Sequence, residues 1–145
     1  MERHFEYPAR VEKDSAGFYL VTFPDFPEAA TDARSVDAAI AEGIDCLEEA
    51  VAGRMKRGED IPAPSRPKEG MVLIALSALY AMKAALYLAL RTGELSQRAL
   101  AAKLGKAENE VRRLLDPKHA TPISALEQAL RAVGKRAQVV VGDFD

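Results

Sequence analysis

The sequence holds a single cysteine, Cys46, among its 145 residues, so no disulfide can close within the chain. Beside it stand only two histidines, His4 and His119. No set of these residues has the spacing of a metal site, and nothing implies a cofactor. Cys46 is expected as a buried thiol on the inner or flanking surface of a helix, not as a nucleophile. The opening stretch MERHFEYPARVEKD has no apolar core. It therefore does not read as a secretory signal, and cytoplasmic residence is the expectation. A large surplus of either charge is missing too: 20 Lys and Arg meet 22 Asp and Glu, a net of −2, which alone argues against nucleic acid as a partner. The 48% hydrophobic content excludes a disordered chain and is that of a packed one.

The distribution of charge says more than its sum. Residues 1–68 carry nine Lys and Arg against 14 Asp and Glu, a net of −5, whereas residues 69–145 carry 11 against eight, a net of +3. Such a split suggests a basic part that meets DNA, tied to an acidic part that meets something else.

Residues 97–115, QRALAAKLGKAENEVRRLL, read as a helix-turn-helix. Ala101 is small where two helices would cross. Gly105 lies just past the first helix, where a positive φ is needed and glycine adopts it cheaply. Val111 and Leu114, with Leu100 and Leu104, form the apolar inner face. The outward positions of the second helix are then Glu108, Asn109, Arg112 and Arg113. Asparagine suits adenine edges, and arginine suits guanine edges or phosphates. Gln97 and Arg98 open the preceding helix, where phosphate is favoured. Lys106, Lys118 and His119 flank the second helix within reach of phosphate. One feature disagrees: the second helix should open on Ser, Thr, Asp or Asn, but the candidates are Lys106 and Ala107. A further helix is expected at 124–133, ended by Gly134, and another at about 78–91. The competing reading is a plain helical bundle whose charges are simply solvated.

In the N-terminal half, residues 5–12 and 17–23 show strand chemistry around a turn at 13–17, a hairpin signal. The second run is apolar at alternate positions of both sets, so both of its faces are expected to be covered. Pro24, Asp25, Phe26 and Pro27 end it, and a short strand is expected near 29–32. A helix should run from Ser35 to about Arg57, with Val36, Ile40, Ile44, Leu47, Val51 and Met55 as its apolar stripe. Ser35 caps it and Asp37 favours its N-terminal dipole. Residues 58–70 form a Pro-rich connection. Residues 71–90 then hold one charge, Lys83, so a membrane span must be weighed. A lysine near its middle would cost about 2.5–3.5 kcal/mol on insertion. The preferred reading is a strand at 71–76 followed by a helix, and no membrane. Residues 138–141, QVVV, read as a short strand able to pair with another chain.

The motif GFYLVTFPDFP at 17–27, then SVDAA at 35–39 and IPAPS at 61–65, resembles the HicB antitoxins over about residues 5–76. A helix-turn-helix after it is one of that family's C-terminal modules. Glu28 stands where the family usually has glycine, and 32–34 lacks the usual glycine before the long helix. The resemblance implies an α+β protein: an N-terminal toxin-binding domain at 1–76, with a degenerate ribonuclease H-like sheet and one long helix, then an all-helical DNA-binding domain at 77–145. It implies two partners, a HicA-type toxin that cleaves messenger RNA and the operator DNA of its own operon. A homodimer or tetramer is expected, because one helix-turn-helix reads few base pairs. Phe23, Asp25, Phe26, Glu42 and Glu49 are candidate toxin contacts, against the alternative that the aromatics are core and the carboxylates a solvated face. A free-standing regulator with a sensory domain is the other functional reading. Catalysis is disfavoured, because Asp14, Asp25 and Glu48 do not recur at the adjacent strand centres that a two-metal site requires.

Overall fold

The computed structural model describes residues 2–143, which divide between Ser77 and Ala78 into two compact units. In the first, strands β1 (Glu6–Lys13), β2 (Tyr19–Phe23), β3 (Phe26–Ala33) and β4 (Val72–Ala75) form an antiparallel sheet in the order β3-β2-β1-β4. Asp14 shapes the first hairpin: its Oδ1 accepts the N–H groups of Ala16 and Phe18, each at 2.9 Å. Gly17 supplies the positive φ of 89°. The second hairpin turns at Pro24 and Asp25, with Phe23 opposite Phe26 and a register shift at Thr22/Phe23. β3 is longer than the 29–32 expected, because Pro27 sits at a sheet edge, where its missing N–H is tolerated.

Helix α1 (Val36–Arg57) covers one face of the sheet. Ser35 caps it, its Oγ accepting the Ala38 N–H at 3.1 Å, and Gly58 ends it in the left-handed conformation. The bulky stripe expected from periodicity meets the sheet only in its C-terminal half, at Leu47, Val51 and Met55. Val36 is exposed and Ile40 and Ile44 are half-buried, whereas Ala39, Gly43, Leu47, Ala50, Val51 and Met55 are buried. Small residues let the helix backbone approach the strands. A Cβ on Gly43 would lie 3.0 Å from Ile74 Cδ1 and 3.2 Å from Val21 Cγ1. The core of the unit is Tyr7, Ala9, Val21, Phe23, Phe26, Leu47, Val51, Ile61 and Ile74. The expectation that β2 is covered on both faces fails. Val21 and Phe23 on one face are buried, but Leu20 on the other face is exposed, because α1 covers only one side of the sheet.

The Pro-rich stretch 58–70 is not a loose tether. Ile61 is buried, Tyr7 Oη donates to Pro62 O at 2.7 Å, and the Arg3 guanidinium donates to Ile61 O. These bonds carry the chain back to β4 at the sheet edge.

The second unit contains α2 (Ala78–Thr92), α3 (Gln97–Leu104), α4 (Glu108–Leu115) and α5 (Ile123–Ala132). They enclose a core of Met82, Leu86, Leu100, Ala101, Val111, Leu114, Leu126, Ala129 and Leu130. The apolar run at 71–90 therefore resolves into β4 and most of α2. Among the described residues no helix is long and apolar enough to cross a membrane. The strand expected at 138–141 is not formed within the chain: no helix or strand occurs at 135–143. Val139, Val140 and Val141 are 72, 86 and 90% exposed, and among the described residues no strand pairs with them.

Candidate functional site

Two surfaces gather the residues singled out by sequence. The first is built on α3 and α4, joined by the three residues 105–107. Ser96 Oγ accepts the Ala99 N–H at 3.0 Å and opens α3. Gly105 closes it at φ 67°, where a Cβ-bearing residue would be strained. Ala101 is buried and faces the interior, as its small size anticipated. The N-cap of α4 is Ala107, which offers no side-chain acceptor to the first turn. Only half of a reciprocal cap is present: Glu110 Oε1 accepts the Ala107 N–H at 3.3 Å.

With Val111 and Leu114 buried and Leu115 packed beside them, the polar positions of α4 face outward. Glu108, Asn109, Arg112 and Arg113 are all exposed, as are Gln97 and Arg98 at the start of α3. Lys118 and His119, in the loop that follows α4, are exposed as well. Lys106 is half-buried and lies 3.7 Å from Glu110. Arg98 lies 3.6 Å from Glu108 across the turn. That pair is solvent-screened and weak, so an approaching phosphate can displace the carboxylate at little cost. Lys106, Glu110, Arg113, His119 and Thr121 line a cavity of about 190 Å³ beside α4. Its walls include one carboxylate among three groups able to carry positive charge.

Sequence reasoning missed the residue that organises this region. Lys83, weighed only as an obstacle to membrane insertion, has no exposed surface. Its Nζ donates to Arg113 O at 2.9 Å, Asp116 O at 2.6 Å, His119 O at 2.8 Å and Thr121 Oγ1 at 2.8 Å. Burial pulls its pKa below the ordinary lysine value, and the Asp116 carboxylate partly offsets this. The available signal was a lone charge in an apolar helix, which must find partners wherever it is buried.

The second surface belongs to the sheet and α1. Phe23 and Phe26 do not line it: both are buried, and Phe26 packs edge-on against Tyr7 with ring centroids 4.9 Å apart. Asp25 is half-buried and engaged, its Oδ2 accepting Ser65 N–H and Ser65 Oγ, each at 3.0 Å. The Pro-Asp-Phe turn thus pins the Pro-rich segment through Asp25, while Pro24 and Pro27 on either side stay exposed. Glu42 and Glu49 are exposed on α1 with Asp45 between them, spaced three and four residues apart on one acidic strip. Glu48 is half-buried and accepts the Ser77 N–H at 2.9 Å. Glu28, on β3, grips Arg54 of α1 through two bonds of 2.7 and 2.8 Å, and the guanidinium holds its carboxyl below the usual range.

Cys46 is half-buried, and burial pushes its thiol pKa up, so it is a poor nucleophile. Among the described residues no group of three or more His, Cys, Asp or Glu side chains is arranged to hold a metal ion.

Residues 6–85 match the model of the HicB-like antitoxins of bacterial toxin–antitoxin systems. The chain is 33% identical over 135 residues to the antitoxin HicB of Escherichia coli K12, covering 93% of this chain and 98% of that protein. It is 31% identical over 140 residues to antitoxin HicB 2 of Photorhabdus laumondii, covering 97% of this chain and 99% of that one. With antitoxin HicB of Pseudomonas fluorescens it shares 29% identity over 133 residues, covering 91% and 90% of the two chains.

Proposed function

Since the chain belongs to the HicB-like antitoxins of bacterial toxin–antitoxin systems, we propose that it silences a HicA-type messenger-RNA-cleaving toxin through its N-terminal unit and represses its own operon through its C-terminal unit. As a family member it is a regulatory protein rather than an enzyme, and its partner is a toxin. The finer assignments follow from the residues. Helices α3 and α4 serve as a helix-turn-helix, with α4 entering the major groove. Asn109, Arg112 and Arg113 read base edges or phosphates, while Gln97, Arg98, Lys106, Lys118 and His119 position the backbone of the duplex. Glu108 stays paired with Arg98 until phosphate replaces it. The acidic strip Glu42, Asp45 and Glu49 receives the toxin, whose RNA-binding surface must be basic. Carboxylates there imitate a phosphate backbone and speed association.

The observation that carries the DNA reading is the outward face of α4. Val111 and Leu114 are locked into a core, and this leaves two adjacent arginines and an asparagine exposed on a short, fixed helix. One such helix binds DNA mostly through non-specific phosphate attraction, so useful repression takes a symmetric dimer over two half-sites about 34 Å apart, or a multiple of that spacing.

Arg112→Ala and Arg113→Ala are expected each to weaken binding to a duplex from upstream of the gene by about 1–3 kcal/mol, with toxin capture unchanged. Glu42→Lys with Glu49→Lys is expected to do the reverse. A gel-shift titration and co-purification with the toxin read the two arms. Operator affinity untouched by both arginine variants removes the assignment of α4.

A further inference from the structure

We propose that Lys83 is a positioning residue for DNA recognition: a buried ammonium that clamps the C-terminal end of α4 and the loop after it, and so sets the pose of the DNA-facing side chains around them. This rests on the DNA reading above and adds a residue that never reaches the duplex.

The geometry is specific. An ammonium carries three N–H donors, and four oxygens surround Lys83 Nζ at 2.6 to 2.9 Å. A neutral amine would offer only two donors to the same four acceptors. Three of the four are backbone carbonyls. Arg113 O belongs to the last turn of α4, at the negative pole of the helix, where its other bond is a single N–H from the cap residue Asp116 at 3.2 Å. Asp116 O and His119 O belong to the loop, and Thr121 Oγ1 stands just before α5. Among the described residues no carboxylate forms an ion pair with the ammonium, and Asp116 Oδ1 instead accepts the Lys118 N–H at 3.0 Å. The clamp therefore grips main chain, the part of the protein that decides where side chains start.

Its effect falls on the candidate DNA contacts. Arg113 and His119 supply carbonyls to Lys83 directly, while Arg112 and Lys118 are their chain neighbours. All four side chains are exposed, so their starting positions follow the backbone that carries them. Helix α4 is eight residues long, and its N-cap is an alanine without a side-chain acceptor. A helix of two turns capped so weakly depends on Val111, Leu114 and its C-terminal anchor for its orientation.

The test uses the full chain with Lys83→Met, which keeps length and apolar bulk but removes every donor. Three quantities are measured: folding by far-UV circular dichroism, amide hydrogen exchange in peptides covering 113–121, and affinity for the upstream duplex across a salt series. The expected result is exchange at 113–121 faster by about tenfold or more, with N-terminal peptides unchanged. Duplex affinity should fall about tenfold or more at every salt concentration, with the slope of log affinity against log salt unchanged, because Lys83 neutralises no phosphate. A slope shallower by about one would make Lys83 a phosphate contact and overturn the proposal. Wild-type affinity in the variant would overturn it as well. Should Lys83→Met unfold the C-terminal unit, Thr121→Val decides, since it deletes one acceptor of the four. That variant is expected to bind the duplex several-fold more weakly and exchange faster near 119–121, and Thr121→Ser is expected to restore both. Thr121→Val indistinguishable from wild type refutes the clamp. A wild-type protein that does not prefer the upstream duplex over a scrambled one removes the DNA reading and the positioning role with it. Exchange at 113–121 in that case still reports whether the clamp exists.

Discussion

Tyr7 gives the sharpest test of how the N-terminal unit is held. It is fully buried, its ring meets Phe26 edge-on, and its hydroxyl donates to Pro62 O at 2.7 Å. Burial pushes its pKa from 10.0 up to about 12, against a smaller pull downward from Arg3. Tyr7→Phe removes the donor and leaves a half-buried carbonyl short of that bond. Near neutral pH this should cost about 1–2 kcal/mol of stability. The pH dependence is the discriminating part. Below the unfolded value the phenol is protonated in both states, so its contribution is complete. Between about pH 10 and pH 12 the unfolded chain ionises Tyr7 while the folded chain keeps the proton. The folded state then binds more protons, and stability falls as pH rises, by on the order of 2–3 kcal/mol across the window. The Phe variant loses nothing by this route, and every other ionisable group is common to both proteins. The wild type's advantage should therefore shrink through pH 10 and vanish or reverse towards pH 12. Urea titrations of both proteins, with tyrosinate absorbance recorded in parallel, measure it. A stability difference that stays constant from pH 7 to about 11.5 would refute the reasoning.

The helix–sheet contact, the Pro-Asp turn and the assembly give three further tests. Gly43→Ala is expected to destabilise the N-terminal unit by about 1–3 kcal/mol, since the new methyl meets Ile74 and Val21 at 3.0 and 3.2 Å; an unchanged urea midpoint would show that the helix can lift without cost. Asp25→Ala is expected to lower stability by about 1–2 kcal/mol through loss of both Ser65 bonds, while saturating toxin is still captured. Normal stability with lost capture would instead make Asp25 a contact residue. Sedimentation of the protein without toxin or DNA should show a dimer or larger at micromolar concentration, and a clean monomer at high concentration would point to assembly bridged by toxin.

Most elements were legible in the sequence because their signals are local. Asp14 and Gly17 announce the first hairpin, Ser35 and Gly58 bracket α1, and Gly105 marks the end of α3 by a φ that other residues avoid. Outward positions on α4 followed from the burial of Val111 and Leu114, because helical geometry fixes what remains. The family motif was legible too, but not what its residues do. Phe23, Asp25 and Phe26 stand out as a conspicuous turn, and only the fold reveals that two are core and the third ties down Ser65.

Other properties depend on partners distant in the chain, and tertiary structure alone decided them. Periodicity found Leu47, Val51 and Met55 of α1, but its first half meets the sheet through Ala39 and Gly43 instead of Val36, Ile40 and Ile44, because close approach there leaves no room even for a Cβ at Gly43. Composition marked 58–70 as a connection, but bonds to Arg3, Tyr7 and Asp25 make it part of the unit. Glu28 departs from the family's usual glycine, and its charge is matched by Arg54, 26 residues away. Lys83 is the clearest case. A lone charge in an apolar run states only that partners are required, and the folding of residues 113–121 around it supplied them. Sequence fixes which groups need company through their charge, size and backbone freedom, but which groups keep that company depends on contacts that close only when the chain does.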